Sequence, residues 1–159
     1  MTTSSEPTQG TLPRLATLVV GVDGSAESLY ALDLATTIGG AHNSTIRVVH
    51  VHTHPSPLGF SPRAAAEYEK AQAEIDDAMT QEAASRLRDY SGRWEFVTRD
   101  GHVGHELLAE AADCDADLIV VGHRSHGTLH DAVLGSVATS AVHHSRRSVL
   151  VAIPPATRP

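Results

Sequence analysis

The sequence predicts a single doubly wound, Rossmann-like α/β domain: a five-stranded parallel sheet with helices on both faces. Three observations carry this expectation. Short, nearly continuous apolar runs rich in β-branched residues recur along the chain, as at Leu15–Val22, Thr45–Val51 and Leu118–Val121. Such runs suit strands buried on both faces. Longer segments between them repeat their apolar residues every three or four positions, the helical period. The two kinds of segment alternate as βαβαβαβαβ, which implies parallel strands joined by right-handed crossovers. No internal repeat is visible, and 159 residues suit one domain with a sizeable core.

Residues 1–13 are polar, contain two prolines and show no periodicity, so a mobile tail is expected before a domain over 14–153. Leu15 to Val22 is the first strand. It stops at Asp23-Gly24-Ser25, where Ser25 is an N-cap for a helix running to about Ile38. Ala31, Leu34, Ala35 and Ile38 give that helix its apolar face, and Gly39-Gly40 are expected to end it. Thr45 to Val51 is the second strand. His52 to Pro62 holds three prolines and a glycine and reads as a long loop, a candidate flap over a site. From Arg63 to Tyr90 the pattern is helical, with Tyr68, Ala71, Ile75, Met79, Ala83, Leu87 and Tyr90 forming one apolar stripe. Trp94 to Thr98 reads as the third strand, and Val103, Leu107, Ala111 and Cys114 mark the third helix. Leu118 to Val121 is the fourth strand. Val137, Ala141 and Val142 line a fourth helix ending near His143-His144-Ser145. Val149 to Ile153 is the last strand, and a Pro-rich tail follows over 154–159.

Composition narrows the function. The formal charge of −7 argues against general nucleic-acid binding and against adhesion to an anionic membrane. A phosphate ligand would need positive potential made locally. The one cysteine, Cys114, has no internal disulfide partner, which suits a reducing compartment. No window is long and apolar enough to span a membrane, and Met1 to Gly10 lacks the basic start and apolar core of a signal peptide. A cytoplasmic location is expected.

The segment after the fourth strand carries the chemistry. Leu118-Ile119-Val120-Val121 breaks at Gly122, a polar loop follows from His123 to Gly127, and Gly135-Ser136 opens an apolar helix. Strand, glycine turn, loop and helix N-terminus together can hold a phosphate. Backbone N–H groups at the helix start are unpaired, and the helix dipole favours an anion there. Glycine lets the backbone approach where a Cβ would block it. In open sheets of this kind, ligands bind outside the carboxyl ends of the strands, where the strand order reverses. Val22-Asp23-Gly24-Ser25 and Gly122 to Gly127 are the two strand ends richest in such chemistry. If the first and fourth strands are neighbours, both loops face one cleft.

Gly21-Val22-Asp23-Gly24-Ser25, the strand Val48-Val49-His50-Val51 and the spacing Gly122-x2-Ser125-x9-Gly135-Ser136 together resemble the universal stress protein family over roughly residues 15–153. The nucleotide-binding branch of that family carries G-x2-G-x9-G-(S/T) after the fourth strand. Here the spacing is kept in full, and Ser125 stands where the second glycine usually sits. A serine keeps the N–H donor and adds a hydroxyl, but would be strained if the position needs a positive φ.

The resemblance implies a sheet order of 3-2-1-4-5 and an adenine-nucleotide site at its switch point. By that resemblance Asp23 would accept hydrogen bonds from the ribose hydroxyls, an acceptor-only carboxylate suiting a diol. As a plain structural residue it would instead favour the helix N-terminus beside it. Val51 would meet the adenine through its backbone, and Gly21, Val22 and Val121 would belong to the base and ribose pocket. Gly122, Ser125, Gly135, Ser136 and Val137 would give N–H groups and a hydroxyl to the phosphates, and Arg124 would add charge. His123 and His126 lie in the same loop and could assist an anion when protonated.

The implied ligand is ATP, with or without Mg²⁺, and the implied role is a nucleotide-dependent regulator of the stress response. Cyclic AMP or another adenine nucleotide is the alternative ligand. A ligand-free dimeric interaction protein, as in the family branch without the glycine motif, is the alternative of a different class. Catalysis is not expected. The loop has no P-loop lysine, and no acidic residue lies between Gly122 and His130. A lone Asp131 near a helix start is more often a cap than a Mg²⁺ ligand. Slow hydrolysis and autophosphorylation stay open.

His50, His52 and His54 alternate, so an extended segment would point them to one side. No second ligand set follows at a characteristic spacing and no cysteine pair exists, so no metal site is expected from the sequence. The last strand, Ser148 to Ile153, is apolar and expected at a sheet edge. An exposed edge is a hazard, so this strand is expected to pair with its copy in a homodimer.

Overall fold

The structure, a computed structural model, describes residues 14–53, 61–123 and 135–155. Among the described residues nine elements alternate: β1 (Thr17–Gly21), α1 (Ala26–His42), β2 (Thr45–His52), α2 (Pro62–Arg86), β3 (Trp94–Asp100), α3 (Val103–Asp113), β4 (Leu118–Gly122), α4 (Ser136–His144) and β5 (Ser148–Ala152). The strands form one sheet in the order β3-β2-β1-β4-β5, and all four pairings are parallel. The expected fold class and strand order are those observed. The expected tail at 1–13, most of the loop from His52 to Pro62 and the loop over 124–134 lie outside the described residues.

The apolar strands have no polar alternation because both faces are covered. On one face Leu18, Val20, Ile46, Val48 and Val120 pack against Ala31, Leu32 and Ala35 of α1 and against Ala83 and Leu87 from α2 and its C-cap. On the other, Val19, Val49, Val51, Ile119 and Val121 pack against Leu107 and Ala111 of α3 and Ala138 of α4. Alanines at the helix contacts let the helices lie close to a sheet whose bulk comes from valine and isoleucine.

Several boundaries differ from the sequence reading, each for a packing reason. Gly39-Gly40 do not end α1. The helix runs to His42 and closes at Asn43, which adopts the left-handed conformation at φ 52°, a conformation asparagine tolerates better than most residues. Gly39 is a contact glycine: a Cβ there would stand 2.7 Å from the Tyr90 hydroxyl and 3.2 Å from Ile46. That hydroxyl donates to the Ser44 carbonyl at 2.5 Å, which ties the chain after α2 to the turn after α1.

The stripe expected along Arg63–Tyr90 is only half used. Ala83 is the one buried residue of α2, Leu87 is its C-cap, Tyr90 lies beyond the helix, and Ile75 is 46% exposed. A helical period therefore marked the helix correctly without marking how far the sheet extends beneath it. β1 ends at Gly21, one residue before Val22, and β3 continues two residues past Thr98 to Asp100. In α4 the buried positions are Ala138 and Ala141, whereas Val142, expected on the apolar face, is 50% exposed. Cys114, read as part of the third helix, is its C-cap, and burial pushes its thiol pKa up. No described helix is long and apolar enough to cross a membrane.

Candidate functional site

The order β3-β2-β1-β4-β5 reverses direction between β1 and β4, so a crevice opens outside their carboxyl ends. After Gly21 the chain stays joined to β2 through the Val22 N–H, which donates to Val49 O at 2.9 Å. It then turns at Gly24, whose φ of +79° explains the glycine, since nothing crowds its missing Cβ. Ser25 caps α1 as expected, its Oγ accepting from the Ser28 N–H at 3.2 Å. Asp23 Oδ1 accepts from the Ser25 N–H at 3.0 Å and from the Ser25 hydroxyl at 2.5 Å. The Asp23 N–H in turn donates to Ser28 Oγ at 3.2 Å. The network fixes an exposed carboxylate at the mouth of the crevice, beside the N-cap of α1.

Gly122 closes β4 against the first turn of α1. A Cβ there would meet the Glu27 carbonyl group at 2.6 Å and the Ser28 nitrogen at 2.8 Å, all backbone atoms. Its glycine is required by close approach. The next residue, His123, is buried and donates its N–H to Ala152 O at 2.8 Å, which extends the β4–β5 pairing. It does not join the lining of the crevice. Gly135 is the N-cap of α4 and, having no side chain, offers no cap of its own, so the first-turn N–H groups of the helix face the crevice as donors for an acceptor.

These strand ends enclose a cavity of about 480 Å³, within the range of roughly 300–1,000 Å³ usual for small-molecule sites. Nine of the eleven residues expected in the nucleotide site line it: Gly21, Val22 and Asp23 after β1, Val51 on β2, Val121 and Gly122 on β4, and Gly135, Ser136 and Val137 at the start of α4. The other two, Arg124 and Ser125, fall outside the described residues, as do His126 and Asp131. The lining also holds Ser25, Val49 and His50, named from the sequence in other roles, and Ser28, Thr53, Val103 and Leu107, which the sequence did not place at the site. Ser28 was legible as the third residue after an N-cap. Val103 and Leu107 were assigned to a helix face, and only the crossover of α3 brings them under the crevice.

The position of α3 is set by an ion network that apolar periodicity did not show. Glu110, 3% exposed, accepts from Arg47 Nε on β2 at 2.5 Å and from Arg99 Nη1 on β3 at 2.8 Å. Arg99 also binds Glu106 at 2.9 Å and Asp113 at 3.0 Å. Hydrogen bonds from Glu106 and Glu110 raise the Arg99 pKa further above its ordinary value, while the Arg99 and then the His105 hydrogen bonds hold Glu106 below the usual carboxyl range. On the far side of α3, a Cβ at Gly104 would stand 2.5 Å from Ser140 Oγ, so α3 and α4 touch closely there. The chain of contacts from sheet to α3 to α4 fixes where the start of α4 meets the crevice.

The sequence model of the universal stress protein family matches residues 15–152. A universal stress protein of Mycobacterium tuberculosis is 31% identical over 158 residues, covering 89% of this chain and 49% of its own length. One from Mycolicibacterium smegmatis is 30% identical over 141 residues, covering 84% of this chain and 47% of its own. This chain thus spans about half the length of those two curated relatives. It spans 95% of the Synechocystis relative Sll1388, which is 26% identical and covers 84% of this chain. Among solved structures, UspA from Lactobacillus plantarum superimposes with a TM-score of 0.73 at 23% identity, covering 88% of this chain and 99% of its own. A universal stress protein in complex with cAMP gives 0.64 at 26% identity, covering 89% and 98%. An Arabidopsis thaliana family protein with AMP bound gives 0.67 at 16% identity, covering 89% and 93%. With the family model matching most of its length and the same fold in solved members, this chain belongs to the universal stress protein family.

Proposed function

We propose that the chain binds an adenine nucleotide in the β1–β4 crevice, with ATP as its main ligand, and acts as a nucleotide-dependent regulator in the stress response of a cytoplasmic cell compartment. The observation that carries this reading is the convergence of Asp23, Gly122 and the start of α4 at Gly135-Ser136 on one cavity of about 480 Å³. An exposed carboxylate at one end suits a ribose diol, which has two donors. A helix N-terminus at the other suits a phosphate. The valines between them, Val22, Val51 and Val121, offer an apolar wall for a base. Binding by relatives supports the ligand class: family members have been solved with cAMP, with dAMP and with AMP.

The test is calorimetric titration of nucleotide-free protein with ATP and with cyclic AMP, each with and without Mg²⁺, alongside Asp23→Asn. Asparagine keeps an acceptor for Ser25 while removing the charge that would accept from the diol. Saturable ATP binding weakened about 10- to 100-fold in Asp23→Asn, the loss of a charged hydrogen bond, supports the reading. Tighter binding of cyclic AMP moves the protein to that second messenger. Binding of neither overturns the nucleotide reading in favour of a ligand-free interaction protein.

The same reading includes a homodimer through the last strand. β5 is an edge of the sheet, its middle residues Val149, Leu150 and Val151 are only partly buried, and the adjoining Ile153 is 64% exposed. An apolar edge of this kind is normally covered. A monomer mass by light scattering at working concentration would overturn it.

A further inference from the structure

On β2 the alternation that sends Val49 and Val51 toward α3 sends Ile46 and Val48 toward α1 and α2. His50 and His52 continue that second row at the carboxyl end of the strand. They stand edge to face, with ring centroids 5.1 Å apart at 72°. Asp76 reaches the same point from α2: its Oδ1 lies 2.8 Å from His52 Nε2. One ligand atom from each of His50, His52 and Asp76 lies within 4.8 Å of the other two. All three are half-buried, and 24 residues separate His52 from Asp76, so no sequence spacing pointed to the third member.

We propose that His50, His52 and Asp76 form a binding site for a transition-metal cation of the Zn²⁺ type, each giving one ligand atom and water completing the coordination. Both imidazoles are already oriented as metal ligands usually are. His50 Nδ1 donates its proton to the Val22 carbonyl at 3.0 Å, because a carbonyl can only accept. That leaves Nε2 of the neutral ring with its lone pair. His52 Nδ1 faces Asp100 Oδ1 at 3.2 Å, a carboxylate partner on β3. Ligating histidines almost always give their second ring N–H to a carboxylate or a backbone carbonyl, which fixes tautomer and ring angle. This pair has one of each.

Two imidazoles and a carboxylate select the ion. Imidazole suits zinc, copper, nickel and iron, whereas Mg²⁺ and Ca²⁺ prefer oxygen ligands. With bonds of about 2.0–2.1 Å, tetrahedral ligand atoms sit about 3.4 Å apart. The 2.8 Å between His52 Nε2 and Asp76 Oδ1 and the 4.8 Å within which all three atoms lie bracket that spacing. On binding, the metal displaces the proton shared between His52 Nε2 and Asp76, and that proton leaves to solvent. Occupancy would pin the middle of α2, where Ile75 is 46% exposed and burial against the sheet is slight. His50 itself and Thr53, the residue after His52, line the nucleotide crevice, so the two sites share a wall at the end of β2. The metal proposal does not depend on the nucleotide reading, and is measured on nucleotide-free protein.

The test is titration of tag-free, metal-free protein with Zn²⁺ in a calorimeter and with Co²⁺ as an absorbing substitute. The expected result is saturation at one equivalent, with the intense visible absorption of four-coordinate Co²⁺. Asp76→Asn and His50→Gln each abolish that absorption, and Asp100→Ala weakens Zn²⁺ about 10- to 100-fold. The exposed pair His143 and His144 at the end of α4 serves as control, and His143→Gln with His144→Gln leaves the titration unchanged. Each variant is checked for a native unfolding transition, and because Asp76 and His50 lie on different elements, failure of one to fold leaves the other decisive. Weak, multi-site binding unchanged in Asp76→Asn and His50→Gln overturns the proposal. No saturable binding in the parent protein does so too, and leaves His52 as an ion-pair link between Asp76 and Asp100.

Discussion

Glu110→Gln removes the charge that joins α3 to two strands at once. The Glu110 carboxylate is 3% exposed and accepts from Arg47 at 2.5 Å and from Arg99 at 2.8 Å. Removing one member of a buried ion pair costs roughly 3–5 kcal/mol, because the partner's charge is left unpaired. Here the two arginine side chains are 23% and 24% exposed, and each keeps other carboxylates. Arg47 retains Glu95 at 3.2 Å, and Arg99 retains Glu106 at 2.9 Å and Asp113 at 3.0 Å. Water and those partners offset part of the penalty, so the expected loss is about 2–3 kcal/mol. At roughly 2–4 °C per kcal/mol for a chain of this size, that lowers the melting temperature by about 4–12 °C. Urea unfolding with a double-mutant cycle through Arg99→Gln checks it, with a coupling of at least about 1 kcal/mol expected between contacting residues. A loss below about 1 kcal/mol, or additive single effects, would refute the argument that this network anchors α3. Since Leu107 lies one turn before Glu110 and lines the crevice, weaker nucleotide binding should accompany the lost stability.

Gly122→Ala places a methyl group 2.6 Å from the Glu27 backbone; we expect a stability loss of about 1–3 kcal/mol from overpacking, read by urea unfolding without ligand, and an unchanged midpoint would show that α1 gives way freely. For acid stability, Glu106 is the informative carboxylate: its folded pKa is depressed by Arg99, so its contribution is present above the unfolded value and is lost as pH falls through the folded one. The difference in urea midpoint between the parent and Glu106→Gln should therefore be full near neutral pH and shrink below about pH 4.5; a difference constant with pH contradicts it.

How much was legible in the sequence depended on how local the cause was. The β-branched runs, the Ser25 cap and the alternation of elements rest on neighbouring residues, and each stands where it was read. The end of α1 was misread because Gly39 looks like a stop by its conformational freedom, while its reason is the Tyr90 hydroxyl packed against it from beyond α2. Ile75 and Val142 were assigned to buried faces on helical period alone, which sets direction around a helix but not the extent of the sheet beneath. The Arg47–Glu110–Arg99 network escaped notice because charged residues usually stand in solvent.

By itself, then, the sequence determined the element order, the parallel sheet and the glycine and hydroxyl spacing after the fourth strand, since hydrophobic period and backbone freedom are properties of short stretches. Only the tertiary structure decided which side chains share a cavity or a cation-sized gap. Asp23 and Gly135 face one crevice because β1 and β4 pair directly, and Asp76 meets His50 and His52 because α2 folds back over the end of β2. Such meetings follow from crossovers that bring distant residues together, and no local pattern in the chain encodes them.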